Sequence, residues 1–234
     1  MKKYITAVLS GLLLSASAHA ATVTYNYTAS VYLIYNYDYT RPFPLSPGSI
    51  TLSDGSVGIG DVYHGQFTYD TATPLHTNPN DYDPTYSGAA PLNASTAQFA
   101  SGVTFASTPG AAQSSIGLFD NNPYLHDYLT LSAYADGDVG ERSMTFNFAT
   151  DNESALNGMT IPGSLNAFGS RFIYFSGRIS PTSTYTIMAN IDSLTPAGTA
   201  VTAVPEPETY AMLLAGIGLV GWSASRRQKP VAAN

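Results

Sequence analysis

Thr22-Val23-Thr24-Tyr25-Asn26-Tyr27-Thr28-Ala29-Ser30-Val31-Tyr32-Leu33-Ile34-Tyr35-Asn36-Tyr37-Asp38-Tyr39-Thr40 is the stretch whose reading decides the fold. Val23, Tyr25, Tyr27, Ala29, Val31, Leu33, Tyr35, Tyr37 and Tyr39 recur at every second position, with Thr24, Asn26, Thr28, Ser30, Asn36 and Asp38 mostly between them. Successive side chains of a strand point to opposite faces. A period of two over this length therefore predicts one long strand, or two joined by a kink, with the odd-numbered residues sharing a face.

The same alternation recurs downstream in Tyr63, Phe67 and Tyr69, in Phe99, Val103 and Phe105, and in Leu129, Leu131 and Ala133. It returns in Met144, Phe146 and Phe148, in Phe172 and Tyr174, and in Ile187, Ala189 and Ile191. Clusters of Gly, Pro, Asn and Asp separate these runs, and no long stretch repeats at 3.6 residues. The pattern predicts an all-β domain, an antiparallel β-sandwich of jelly-roll-like type. Two segments are less regular. Residues 71–96 hold Pro74, Pro79, Pro84 and Pro91 and read as a long loop carrying His76, Asp81, Tyr82, Asp83 and Tyr86. Residues 147–169 read as a second flexible segment, with a short helical turn near 152–156.

Charge narrows the partners. Only 11% of the 234 residues are charged. Between residues 21 and 203, four arginines stand against fourteen carboxylates, a net charge of −10. Such a domain is repelled by nucleic acid and by anionic membrane faces. The chain has no cysteine, which excludes a disulfide scaffold and thiolate metal sites.

Both ends read as processing segments. Met1-Lys2-Lys3, an apolar run from Ile5 to Leu14, and Ala18-His19-Ala20 have the order of a secretory signal. Ala18 and Ala20 form the small-x-small cleavage site, placing the mature start near Ala21, so residues 1–20 are read as signal peptide and 21–203 as the extracellular domain. The C-terminal end runs Val204-Pro205-Glu206-Pro207-Glu208-Thr209, then an apolar segment, then Arg226-Arg227-Gln228-Lys229. The prolines keep the chain extended up to a helix start, where Glu206 and Glu208 complement the dipole. The basic cluster is held on the cytoplasmic side. A helix over 210–225 is roughly 24 Å long against a hydrocarbon core of about 30 Å, enough for a transient stop-transfer segment.

Pro205-Glu206-Pro207, the apolar helix and Arg226-Arg227 together resemble the PEP-CTERM sorting signal, a region also known as the ice-binding protein C-terminal domain. The resemblance covers residues 204–229 and speaks to address, not activity. It implies recognition by an exosortase, a membrane-embedded cysteine protease-transpeptidase. It further implies a Gram-negative producer of extracellular polysaccharide or biofilm. Gly65-Gln66-Phe67-Thr68-Tyr69-Asp70-Thr71 resembles a strand end common in such proteins, with Asp70 capping a turn. Asn190-Ile191-Asp192-Ser193-Leu194 is similar to the last strand before their tails.

Within the domain no catalytic constellation stands out. His64, His76 and His126 lack metal-site spacing, and there is no His-Glu-x-x-His or Gly-x-Ser-x-Gly motif. His64 falls opposite Phe67 and Tyr69 in strand phase and reads as a surface residue. Asp136, Asp138 and Glu141 gather around glycines in a turn and are candidate Ca²⁺ ligands, although an acidic hairpin turn is the plainer reading. Tyr82 and Tyr86, outside the regular runs, are candidate glycan contacts; most other tyrosines are expected to fill the core. The sequence thus predicts a non-enzymatic exported protein with no required cofactor and a structural or adhesive role in a polysaccharide matrix. A carbohydrate-binding or calcium-assisted adhesion module is the alternative, and a secreted glycan hydrolase using paired carboxylates a further one. The expected partners are exosortase, the secretion machinery, the membrane through the tail, and extracellular polysaccharide.

Overall fold

The alternating stretch forms one 17-residue strand, β1 (Thr22–Asp38). The structure, a computed structural model, describes residues 22–78, 85–90, 93–108, 111, 113–122, 126–135, 142–151 and 153–197. Of two compact units, Met1–Gly198 and Thr199–Asn234, the second lies wholly outside these residues. The signal segment and the helix expected over 210–225 lie outside them as well. Twelve further strands follow: β2 (Ser49–Leu52), β3 (Gly55–Gly58), β4 (Val62–Asp70), β5 (His76–Thr77), β6 (Tyr86–Ala89), β7 (Ala94–Phe99), β8 (Thr104–Ala106), β9 (Ser115–Asn122), β10 (His126–Ala135), β11 (Arg142–Thr150), β12 (Ser170–Ser180) and β13 (Ser183–Pro196).

The domain is all-β, and eleven strands form one antiparallel sheet in the order β5-β6-β9-β10-β11-β12-β13-β1-β4-β7-β8, with β2 and β3 as a separate hairpin. Its connectivity is simpler than the two Greek keys of a jelly roll: β9 to β13 follow one another as neighbours, and β1 inserts between β13 and β4. The described residues of 71–96 are more regular than a long loop. They contain β5, β6 and the start of β7, because backbone groups of Tyr86–Ala89 find partners along β9.

The sheet folds over on itself as a sandwich, and aromatic contacts show where. Phe67 in β4 and Phe146 in β11 are four strands apart in the sheet, about 19 Å if it were flat. Their ring centroids are 4.4 Å apart. Phe105 in β8 meets Phe175 in β12 edge-on at 5.6 Å. Tyr25, Tyr27, Tyr69 and Phe148 surround Phe67, so the centre of this core is aromatic. The open edges are stitched by polar groups. Asn93 donates through Nδ2 to the carbonyls of Ser115 and Ser132, and Thr108 N–H donates to Tyr134 O.

Residues 153–169, expected to be flexible with a helical turn, contain turns and no helix, and they close one end of the core. Leu156, Ile161, Leu165 and Phe168 are buried. The helix fails to form for a tertiary reason. Leu156 N–H donates to Asp127 Oδ2 at 2.7 Å and Gly158 N–H to Asp120 Oδ2 at 2.7 Å, so carboxylates take the amides that an i−4 ladder would use. Asp70 caps its turn as expected, accepting from Ala72 N–H at 2.9 Å.

Two glycines carry a specific burden. Gly65 lies directly across from Tyr27, and Gly177 across from Tyr185. In each pair the tyrosine ring covers the glycine. A Cβ on Gly65 would stand 1.9 Å from Thr96 O and 2.7 Å from the Tyr27 hydroxyl. That hydroxyl donates to Thr96 O at 2.8 Å, so glycine is what lets Tyr27 reach the neighbouring strand.

A second tie holds the β2–β3 hairpin. Arg142 grips Asp54 through two bonds, Nη1 to Oδ2 at 2.8 Å and Nη2 to Oδ1 at 2.7 Å, and also donates to Thr104 O. The Arg142 guanidinium holds the Asp54 carboxyl below the usual carboxylate range.

Two outcomes follow for stability. Gly65→Ala should lower the stability of the purified protein by at least about 2 kcal/mol, through overpacking against a backbone carbonyl. Gly163→Ala, with nothing within 4 Å of the added carbon, should shift the urea midpoint little. Asp54, with its folded-state pKa depressed, contributes stability that is present above the unfolded value and lost as pH falls through the folded one. Asp54→Asn should therefore be less stable than wild type at pH 6, by a small margin because the pair is partly exposed, and the gap should narrow as pH falls below the unfolded carboxylate value of about 3.9.

Candidate functional site

Strand β1 keeps its expected phase only as far as Val31. Val31 pairs with Ala189 and Leu33 with Met188, so Tyr32 is an extra residue, a β-bulge. Beyond it the faces exchange: Ile34 is fully buried, while Leu33, Tyr35 and Tyr37 turn to the outer face. The expectation that Leu33, Tyr35, Tyr37 and Tyr39 share a face with Tyr25 and Tyr27 is thus corrected. A one-residue slip moves every later side chain to the other side of a sheet.

These residues extend a row of aromatics on the solvent side. Phe119 in β9 packs edge-on against Tyr128 in β10 at 5.5 Å. Tyr128 lies 6.3 Å from Phe172 in β12, which lies 5.3 Å from Tyr174. Tyr174 is paired across β13, through Met188, with Leu33. Tyr35 and Tyr37 continue the row along β1, 5.9 Å apart. The register shows why the row is diagonal. Asn147, Phe172 and Asn190 stand side by side, then Thr145, Tyr174, Met188 and Leu33, then Ser176, Thr186 and Tyr35. Phe119 and Tyr128 face each other in one row, Phe172 lies one row further along and two strands over, and Tyr174 follows it along β12, each within the diagonal reach of aromatic side chains.

Phe119 is buried at one end, Tyr128, Phe172, Tyr174 and Tyr35 are half-buried, and Tyr32 and Tyr37 are 40% and 38% exposed at the other. The rings are held in place: Tyr128 donates to Asn147 Oδ1 at 2.7 Å, and Asn147 Nδ2 donates to Thr145 O. Burial raises the phenol pKa of Tyr128, Tyr174 and Tyr32, and each is raised further by the next tyrosine along, Tyr174, Tyr32 and Tyr35 respectively. All three hydroxyls stay protonated at physiological pH and remain both donors and acceptors. Hydroxyl pairs flank the row, Ser132 with Thr145 at 3.1 Å and Ser176 with Thr186 at 3.0 Å. Among the described outward positions of β10 to β13, charge appears only at Arg178 and Asp192, with His126 at one end.

The residues singled out from sequence fall elsewhere. Asp136, Asp138, Glu141 and Tyr82 lie outside the described residues, as do Ala18, Ala20, Pro205, Glu206, Pro207, Arg226 and Arg227. Tyr86 pairs with Leu118 and packs, partly buried, against the core. His64 and His76 are exposed; His126 lies 3.8 Å from Glu153. No three His, Asp or Glu residues converge as a metal site among the described residues. Asp120 and Asp127 are occupied by backbone amides. A seam between Phe67, Ser95, Leu131 and Phe146 has a cavity volume of only about 10 Å³, far below the roughly 300 Å³ at which small-molecule pockets begin. What the sequence did contain was a sign of the bulge. Val31-Tyr32-Leu33-Ile34 is four apolar residues in a row, which strict alternation does not allow.

No curated protein and no solved structure matches the chain. A comparison with protein families matches residues 203–227 to the PEP-CTERM protein-sorting motif, over nearly the same span that the prolines and arginines mark. The chain thus carries a PEP-CTERM protein-sorting motif at residues 203–227, with an all-β domain ahead of it.

Proposed function

We propose that this protein is a non-enzymatic, structural or adhesive component of an extracellular polysaccharide matrix. The observation that carries the reading is the sorting motif at residues 203–227, which implies export and processing by exosortase. The adhesive role is supported by what the domain presents. Its carboxylates at Asp120 and Asp127 are spent on backbone amides, and the small seam between its layers leaves no room for a substrate. Its most unusual surface is a broad aromatic face, the kind of exposed apolar patch that marks an interaction site. That face favours carbohydrate binding over a hydrolase, which would need two opposed carboxylates across a cleft.

Intact mass spectrometry of the protein from the producer's membrane, medium and matrix tests the sorting step. A species starting near Ala21 and ending near Pro205 or Pro207 is expected, and it should vanish when exosortase is deleted. A species that keeps Arg226-Arg227 in every fraction would make this a plain tail-anchored envelope protein. Release of soluble sugar from a panel of glycans by the purified protein would overturn the non-enzymatic reading.

A further inference from the structure

We propose that the outer-face ribbon is a binding surface for an uncharged polysaccharide strand laid diagonally across β10 to β13 and β1. The proposal rests on the matrix reading above and adds to it the site and the class of ligand. Four features of the ribbon carry it.

The first is charge. The domain is strongly acidic, yet the ribbon between Arg178 and Asp192 has no charged side chain among the described residues. A polyanion would find no cation there and would be repelled by the rest of the domain. A neutral polymer meets no such penalty. The second is chemistry. Tyrosine rings offer apolar faces for the C–H side of a sugar ring, while their protonated hydroxyls and the Ser/Thr pairs beside them offer donors and acceptors for sugar hydroxyls. The third is extent. From β9 to β1 is five strand spacings, roughly 24 Å, far longer than one sugar. The fourth is preorganisation. The rings already pack on one another at 5.3–6.3 Å, so little side-chain freedom is lost when a chain settles on them.

Other occupants fit less well. An anionic bilayer is disfavoured by the acidic domain, and the ribbon lacks the Lys or Arg that would hold it to lipid headgroups. A second copy of the chain would bury the hydroxyl rows of Ser132, Thr145, Ser176 and Thr186 in an interface, whereas stable homodimer interfaces are more apolar.

The test is retention of the exosortase-processed protein, purified from the medium, on an insoluble neutral β-glucan and on a soluble neutral galactomannan gel, with a polyuronate gel for comparison. Wild type should be retained by at least one neutral polymer, unaffected by 0.5 M NaCl and by added polyuronate. The Tyr35→Ala/Tyr174→Ala variant should be retained at least tenfold more weakly. Because those rings are half-buried, Tyr32→Ala/Tyr37→Ala is tested beside it. It removes only well-exposed rings and should weaken retention severalfold with an unchanged melting temperature, while Val62→Ala, exposed on β4, should not. Equal retention of both double variants overturns the proposal. So does retention by polyuronate alone, a sedimentation-detected dimer that both variants abolish, or no retention on either neutral gel. A correctly processed protein that stays in the producer's matrix despite these failures would leave the matrix reading standing without the ribbon. A protein that is never processed at its tail would remove the matrix reading whatever the gels show.

Discussion

At Tyr32, strand β1 carries one residue more than β13 opposes, and the faces of the longest strand in the domain exchange there. A sheet gives each side chain only two directions, inward or outward. One extra residue therefore has consequences over the whole remaining strand. Before the bulge, Tyr25, Tyr27, Ala29 and Val31 enter the core; after it, Ile34 does so and Leu33, Tyr35 and Tyr37 face solvent. The same strand thus supplies aromatic rings to both sides of the sheet. The inner rings hold the fold and the outer ones complete the ribbon.

The inner side works because a folded-over sheet can stack rings from strands that are distant in its order. Phe67 touches Tyr25 and Tyr27 on its neighbour and Phe146 and Phe148 on the opposite layer. Offset and edge-on packing of this kind favours a dry, well-ordered interior without any disulfide. Space is made by subtraction. Gly65 and Gly177 give up their side chains beneath Tyr27 and Tyr185, and the strand end that begins at Gly65 owes its glycine to that contact.

The order of the strands also bears on export. The first strand pairs along most of its length with the last, from Tyr25 opposite Pro196 to Asp38 opposite Ser183. The central ladder of the sheet can therefore close only once residues 183–196 are available, and the sorting motif begins at residue 203, seven residues beyond β13. Long-range pairing of this kind folds slowly. Among its described residues the finished domain offers a broad aromatic face, the surface proposed above to meet a polymer.

Some of this was written in the chain itself. Alternation at period two needs only the geometry of a single strand, so the all-β class, the strand at 22–38 and the surface position of His64 could be read from residues alone. The turn at Asp70 is equally local, and the sorting tail is legible because its signals are contiguous: prolines, an apolar run and a basic cluster in fixed order. Tertiary structure decided the rest. Whether Tyr35 faces inward depends on which residue of β13 lies opposite, and no strand carries its partner's register in its own sequence. The outer ribbon draws Phe119, Tyr128, Phe172, Tyr174 and Tyr35 from four strands up to 139 residues apart in sequence, from Tyr35 to Tyr174. Asp127 shows the same limit: it is a buried carboxylate in a sequence rich in exposed ones. Only the fold reveals that it is kept there by the amides of Asn121 and Leu156. Local chemistry determines which structures a segment can form, while pairing and packing between distant segments decide which side of the sheet each residue serves.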